Sequence, residues 1–183
     1  MSFSLNSSEA QSDRAPVLVL GWGNLSRGDD ALGPLFVAGL LAQLPTGLRG
    51  QVEFLEDYQL QVEHALDLAG RQRVLLVDAS LTCTAPFEAR SVQARRDTSY
   101  TSHALSPEAL LQVVVDFQGA PPPPTTLLAI RGEAFELGES MSALAQSHLL
   151  AALSWGLDWA TSWRPHLSDL NHTTEMIFLN NPT

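Results

Sequence analysis

The sequence predicts an α/β domain in which helices cover both faces of a mostly parallel sheet. Three observations carry that reading. Val17–Gly21 and Val74–Ala79 are short, continuous apolar runs bounded by turn residues, as expected for central strands buried on both faces. Ala31–Leu44, which follows the first run, has apolar residues at helical spacing. With 183 residues, 45% of them hydrophobic, the chain can bury one substantial core and is expected to form a single domain over residues 16–164.

The elements follow in order. Residues 1–15, rich in Ser, Asn, Gln and charge, read as a flexible leader without the apolar segment of a secretory signal. After the first strand and helix, Val52–Leu55 reads as a strand and Leu60–Leu68 as a second helix, which with Val74–Ala79 completes a β-α-β-α-β order. Glu88–Ala94 alternates like an exposed strand. Ser106-Pro107-Glu108 supplies the N-cap, N1 proline and early acid of a third helix that runs to about Gln118. The prolines at 121–124 bar both helix and ladder, and form a stiff connector into the strand Thr125–Arg131. Met141–Trp163 is a long final helix whose Trp155, Trp159 and Trp163, four residues apart, read as packing residues. The tail, residues 165–183, has no clear period, although Met176–Leu179 could add an edge strand.

Composition narrows the function. Twenty acidic residues against ten basic ones give a net charge of -10, which opposes nucleic acid and anionic membranes and leaves a protein or small molecule as partner. Cys83 is the single cysteine, so the chain has no internal disulfide, thiolate zinc cage or iron–sulfur cluster, in keeping with the cytoplasm. No apolar run is long enough to span a membrane. Asn171-His172-Thr173 matches a glycosylation sequon that has no secretory route to give it meaning.

The polar residues of interest stand where strands end. Gly21-Trp22-Gly23-Asn24-Leu25-Ser26-Arg27-Gly28-Asp29-Asp30 joins the first strand to its helix. A dinucleotide fingerprint needs a third glycine where Ser26 stands, and the two acids would both face a pyrophosphate. A cation is the better guest. In an open α/β sheet, ligands collect at the carboxyl ends of the strands, and there Asp30 follows the first strand, Asp57 the second, and Asp78 ends the third. His103 joins them if the loop before the third helix lies on the same edge. Any one such aspartate is commonly a turn former or helix cap, but together they conflict. Two carboxylates about 5 Å apart at an effective dielectric of about 20 repel by roughly 3 kcal/mol, which a proton or metal between them relieves.

Two carboxylates and an imidazole suit zinc, nickel, manganese or iron and leave coordination positions open. His64, His148, His166 and His172 read as structural or solvent-exposed, and Cys83 as a buried, idle thiol. No Gly-x-Ser-x-Gly elbow is present to suggest a serine hydrolase.

These residues resemble a known family, the nickel–iron hydrogenase maturation endopeptidases. The resemblance rests on Gly21-Trp22-Gly23-Asn24 with the acidic pair and Gly33, on Val77-Asp78-Ala79, on Ser102-His103-Ala104-Leu105-Ser106-Pro107, and on Leu127–Arg131 followed by Glu133. It covers most of residues 16–163. It implies a three-layer α/β/α sandwich and an enzyme that removes a short C-terminal extension from the hydrogenase large-subunit precursor after nickel insertion. Carried over position by position, the metal-contacting and catalytic residues fall on Asp30, Asp78 and His103. Nickel presented by the substrate is the implied metal, no organic cofactor is expected, and the enzyme is expected to be a monomer.

The chain departs from the family in two places. Many relatives have glutamate at the position of Asp30, and many have a glycine-rich stretch where this chain has Tyr58-Gln59-Leu60-Gln61-Val62-Glu63-His64. The second feature resembles the branch serving cytoplasmic, bidirectional or NAD-reducing hydrogenases. A coordinated metal would polarise the scissile carbonyl or lower the pKa of an attacking water, with Asp57 as a candidate base. The rival readings are a nickel-dependent assembly chaperone that holds the large subunit without cutting it and, further behind, a nucleotide-binding module.

Overall fold

The computed structural model describes residues 14–96 and 105–163. Strand β1 (Val17–Trp22) leads through a 3-10 turn at Gly28–Ala31 into helix α1 (Leu32–Gln43). There follow β2 (Val52–Asp57), α2 (His64–Leu68), β3 (Arg73–Ser80), β4 (Phe87–Val92), α3 (Pro107–Gln118), β5 (Thr125–Arg131) and α4 (Ala143–Thr161). The strand order is β2-β1-β3-β5-β4. Four strands run parallel, and β4 pairs antiparallel with β5 at one edge.

Alternation along the strands sorts their side chains into two cores. Val17, Val19, Leu75, Val77, Leu128 and Ile130 face α1 and α4. Leu18, Leu20, Trp22, Val74, Leu76 and Leu127 face the other way, towards Leu68 of α2 and Leu110, Leu111 and Val114 of α3. Two buried faces explain why β1 and β3 read as unbroken apolar runs. The result is the expected three-layer α/β/α sandwich.

Local chemistry sets the helix ends. Ser106 Oγ accepts the Ala109 N–H at 3.2 Å, Pro107 begins α3, and Gly119 ends it in the left-handed region at φ 64°. Ser142 caps α4 in the same way, its Oγ accepting the Ala145 N–H at 3.1 Å. The Pro124 carbonyl accepts the Val74 N–H at 3.0 Å, so the proline connector delivers β5 beside β3.

Several boundaries differ from the sequence reading. The α-helix within Leu60–Leu68 is only His64–Leu68, because the N–H groups of His64, Ala65 and Leu66 bond three residues back, to the carbonyls of Gln61, Val62 and Glu63, and so form tight turns before the helix. The exposed strand is Phe87–Val92, and the last helix begins at its Ser142 cap. Strand β3 continues to Ser80, two residues past Asp78. Trp159 and Trp163 lie in the core, and Trp155 packs on Phe87 with ring centroids 5.9 Å apart. No helix among the described residues is long and apolar enough to cross a membrane. The leader before Arg14, His103, and the tail with Met176–Leu179, His166 and His172 lie outside the described residues.

Candidate active site

β1 and β3 are neighbours, yet the chain leaves β1 for a helix on one face, and the next helix after β3 lies on the other. A crevice therefore opens outside their carboxyl ends. The register pairs Gly21 with Val77 and Trp22 with Asp57, which brings the end of β1 level with Asp78 on one side and Asp57 on the other.

The loop after β1 is fixed by its own backbone. The N–H groups of Arg27 and Asp30 bond to the carbonyls of Asn24 and Arg27, and those of Gly28 and Asp29 to Glu139 and Ala134. The Asn24 N–H goes to Asp30 Oδ2 at 3.0 Å and the Ser26 N–H to Asn24 Oδ1 at 2.9 Å. The Gly23 N–H bonds to the Asp57 carbonyl. With these donors used internally, the loop has no cradle for a phosphate, which argues against a nucleotide module. Gly23 and Gly28 make the path feasible. A Cβ at Gly23 would lie 2.0 Å from the Asp30 carbonyl oxygen, and Gly28, at φ 54°, lies against the Ala134 carbonyl.

The two adjacent aspartates separate. Asp29 is fully buried and points away from the crevice into the β5–α4 connection. It accepts hydrogen bonds from the Glu133 and Ala134 N–H groups at 2.8 and 2.9 Å, and from the Ser142 N–H and Oγ at 2.7 and 3.0 Å. Burial pushes its pKa up, but the four donors together outweigh burial and hold it below the ordinary carboxylate value. The expectation that both acids face a ligand is thus corrected: Asp29 is a rivet between loops. Asp30 remains at the crevice, half-buried, with Oδ2 on the Asn24 N–H.

Asp78 is the counterpart of Asp30. It follows Leu76 on the face of β3 that β1 matches with Trp22. Its Oδ1 accepts the Ala79 N–H at 2.8 Å, and the Trp22 side chain donates a second hydrogen bond. Burial lifts its pKa to about 7, the nearby Asp30 charge adds to the rise, and the two hydrogen bonds offset it only in part. The sequence argument expected these two acids to stand close enough to repel, and the structure places them so. It did not anticipate Trp22, although an indole ending a buried strand at a polar edge is a residue with an N–H to place.

Asp57 is differently engaged. It accepts the Tyr58 N–H on Oδ1, Gln61 Nε2 on Oδ2 at 3.3 Å, and is approached by His64 Nε2 at 3.2 Å. His64 Nδ1 accepts the Gln61 N–H, so its hydrogen sits on Nε2 and is donated to Asp57. Three donors dedicate this carboxylate to holding the β2–α2 turn, which disfavours it as a base. His64 is structural, as expected, and so is His148, whose Nδ1 lies 2.8 Å from the Arg131 carbonyl. Cys83 is buried, its Sγ 3.4 Å from the Ala129 carbonyl oxygen.

His103 lies outside the described residues, and among the described residues no three His, Cys, Asp or Glu side chains converge to hold a metal ion. Asp30 lies close enough to Asp78 for its charge to raise the Asp78 pKa, and two such carboxylates would make a partial ligand set for a cation.

Neither a protein-family model nor a curated protein matches the sequence. Solved structures do match. The [NiFe] hydrogenase maturation protease HycI from Thermococcus kodakarensis is 19% identical, with a TM-score of 0.63 over 82% of this chain and 96% of that one. The hydrogenase maturating endopeptidase HybD from E. coli is 25% identical, with a TM-score of 0.59 over 78% of this chain and 90% of that one. A hydrogenase 2 maturation peptidase from a Thaumarchaeota archaeon is 23% identical, with a TM-score of 0.54 over 78% and 95%. The chain has the fold of the hydrogenase maturation endopeptidases over most of its length, with its acidic pair at the carboxyl edge of that fold.

Proposed function

We propose that this chain is a peptidase that removes the C-terminal extension of a nickel–iron hydrogenase large-subunit precursor, and that it recognises the nickel already inserted in that substrate. The carrying observation is the pair Asp30 and Asp78: two carboxylates held together at the carboxyl edge, where one proton or one cation relieves their repulsion. The three solved structures named above are each described as a hydrogenase maturation protease, endopeptidase or peptidase. Asp30 and Asp78, with His103 as the third ligand, engage the precursor's nickel and so align the scissile peptide along the crevice. A metal on the substrate side polarises a carbonyl or acidifies an attacking water. Asp78, able to exchange a proton near pH 7, is better placed than Asp57 to move one. The Tyr58–His64 segment supports the branch that serves cytoplasmic NAD-reducing or bidirectional hydrogenases, with the enzyme acting there as a monomer.

The test is intact-mass analysis of the host's large-subunit precursor after incubation with the full chain, with and without inserted nickel. Loss of one C-terminal peptide from the nickel-loaded form alone is the expected result. Stable binding of loaded precursor with no change in mass would establish the non-cleaving chaperone instead.

A further inference from the structure

Arginine supplies all ten basic residues of the chain, and the three that are not exposed among the described residues are held in different ways. Arg71 pairs with Glu53 at 2.6 Å, and Arg73 stacks on Trp159 at 3.8 Å from the ring centroid. Arg131, the last residue of β5, has neither an acid nor a ring as partner among the described residues. Its Nη1 donates to the Cys83 carbonyl at 2.9 Å, and its Nε is buried without a hydrogen-bond partner. Nη2 has no partner among the described residues either, and it stays accessible to solvent. A half-buried guanidinium fixed by one carbonyl, with most of its five donors unspent, is preorganised for an acceptor that brings negative charge.

The strands put that charge beside the acidic pair. Leu127, Ala129 and Arg131 alternate onto the face of β5 that Leu76 and Asp78 share on β3, and the register sets Asp78 against Ala129 and Ser80 against Arg131. Asp78 and Arg131 are thus one strand and two residues apart, about 8 Å between Cα atoms, which an extended chain covers in about two to three residues. The sign is opposite to that of the surroundings. Asp30 and Asp78 repel a carboxylate at close quarters and the net charge of -10 repels it at a distance, whereas Arg131 sets a fixed attractive point next to them.

We propose that Arg131 is a specificity-determining residue that takes one carboxylate of the polypeptide held at Asp30 and Asp78, a few residues from the groups that engage the acidic pair. The inference rests on the peptidase reading, since it assumes a polypeptide in the crevice. The carboxylate belongs to an acidic side chain or to a chain terminus, and either presents the same two oxygens to the guanidinium. Arg131 supplies a selection that a metal contact lacks, because it reads a charge at a set distance from the metal-bearing residues.

The experiment has two arms. In the first, N-acetyl-aspartate α-amide, N-acetyl-glycine and the uncharged N-acetyl-asparagine amide are titrated into the full chain while the backbone amides and the Arg131 Nε–H are followed by NMR. The two carboxylate probes should shift the Arg131 Nε–H and residues 81–84 and 131–133, and bind more tightly than the asparagine probe. Tighter binding of the aspartate probe assigns the carboxylate to a side chain, and tighter binding of N-acetyl-glycine assigns it to a chain terminus. Equal binding of the asparagine probe, or no shift at Arg131, would overturn the proposal. In the second arm, nickel-loaded precursor is bound and cut by wild type, Arg131→Gln and Arg131→Lys. Arg131→Gln should raise Kd and KM by about 3- to 10-fold with little change in kcat, and Arg131→Lys, which keeps the charge but not the fork, should recover part of the loss. A lower melting temperature and kcat with an unchanged Kd would reduce Arg131 to a support for the Cys83 turn and contradict the proposal. The first arm needs wild type alone, so it decides the outcome even where a variant does not fold. A wild type that binds the carboxylate probes and the precursor but never cuts it would defeat the peptidase reading alone.

Discussion

Asp29 and Asp78 are both carboxylates withdrawn from water at the same edge of the sheet, and they behave oppositely. Asp29 sits in a socket made by the Glu133–Ser142 segment, where four donors keep it ionised. Asp78 has only two donors against its burial, and the charge of nearby Asp30 adds to the effect of burial, so its pKa is lifted to about 7. Burial alone therefore decides nothing. The count of donors and the sign of the neighbouring charge separate a structural acid from one that can bind a cation or move a proton.

The sharpest way to break the contrast is to remove the socketed acid. Asp29→Ala leaves the N–H groups of Glu133, Ala134 and Ser142, all part-buried at that contact, without their acceptor. It should cost about 3 kcal/mol or more, lowering the melting temperature by about 6–12 °C. Acid should have a related effect. The native state holds Asp29 ionised below the pH at which the unfolded chain takes up a proton, so its contribution is present above about pH 4 and lost as pH falls further. A melting temperature of Asp29→Ala equal to wild type would remove the rivet from the account.

Asp78→Asn should act in the opposite direction. Between about pH 4, where the unfolded carboxyl titrates, and about pH 7, where the native one does, the native state retains a proton that the unfolded state has released. Wild-type stability therefore falls as pH rises through that window. Asparagine avoids that cost, so thermal melts should show Asp78→Asn about 2–8 °C above wild type at pH 8, with the difference shrinking as pH falls and nearly gone at about pH 4. A variant less stable than wild type at pH 8 would mean that the buried charge is compensated by something else.

Smaller effects sharpen the comparison further. Trp22→Phe removes one donor from Asp78, and carboxyl carbon titration by NMR should show its midpoint rising by less than about one unit. Tyr58→Phe breaks only the exposed Asn24 contact and should change stability by less than about 0.5 kcal/mol in a denaturant titration. An equal response of Asp78 to both substitutions would dissociate Trp22 from the acidic pair.

The architecture was largely legible because its signals are local. Buried strands show as unbroken apolar runs at Val17–Gly21 and Val74–Ala79, and the Ser106-Pro107 cap and the prolines at 121–124 announce themselves chemically. The approach of Asp30 to Asp78 was also legible, since it follows from strand ends and right-handed crossovers. The fate of Asp29 was not. Its donors come from residues 133–142, more than a hundred positions along the chain, and no local pattern distinguishes it from the acid beside it. Asp57 is similar in kind: only the His64 ring orientation, set by the Gln61 N–H, shows that its oxygens are already committed.

The most direct test of the central claim is the rate at which nickel-loaded precursor is cut by Asp30→Asn, Asp78→Asn and the remote surface variant Asp116→Asn, each confirmed to be folded. The account predicts no product from the first two under conditions where wild type goes to completion, and a wild-type rate from the third. Cleavage by Asp78→Asn at the wild-type rate would show that the acidic pair is not where the reaction is controlled.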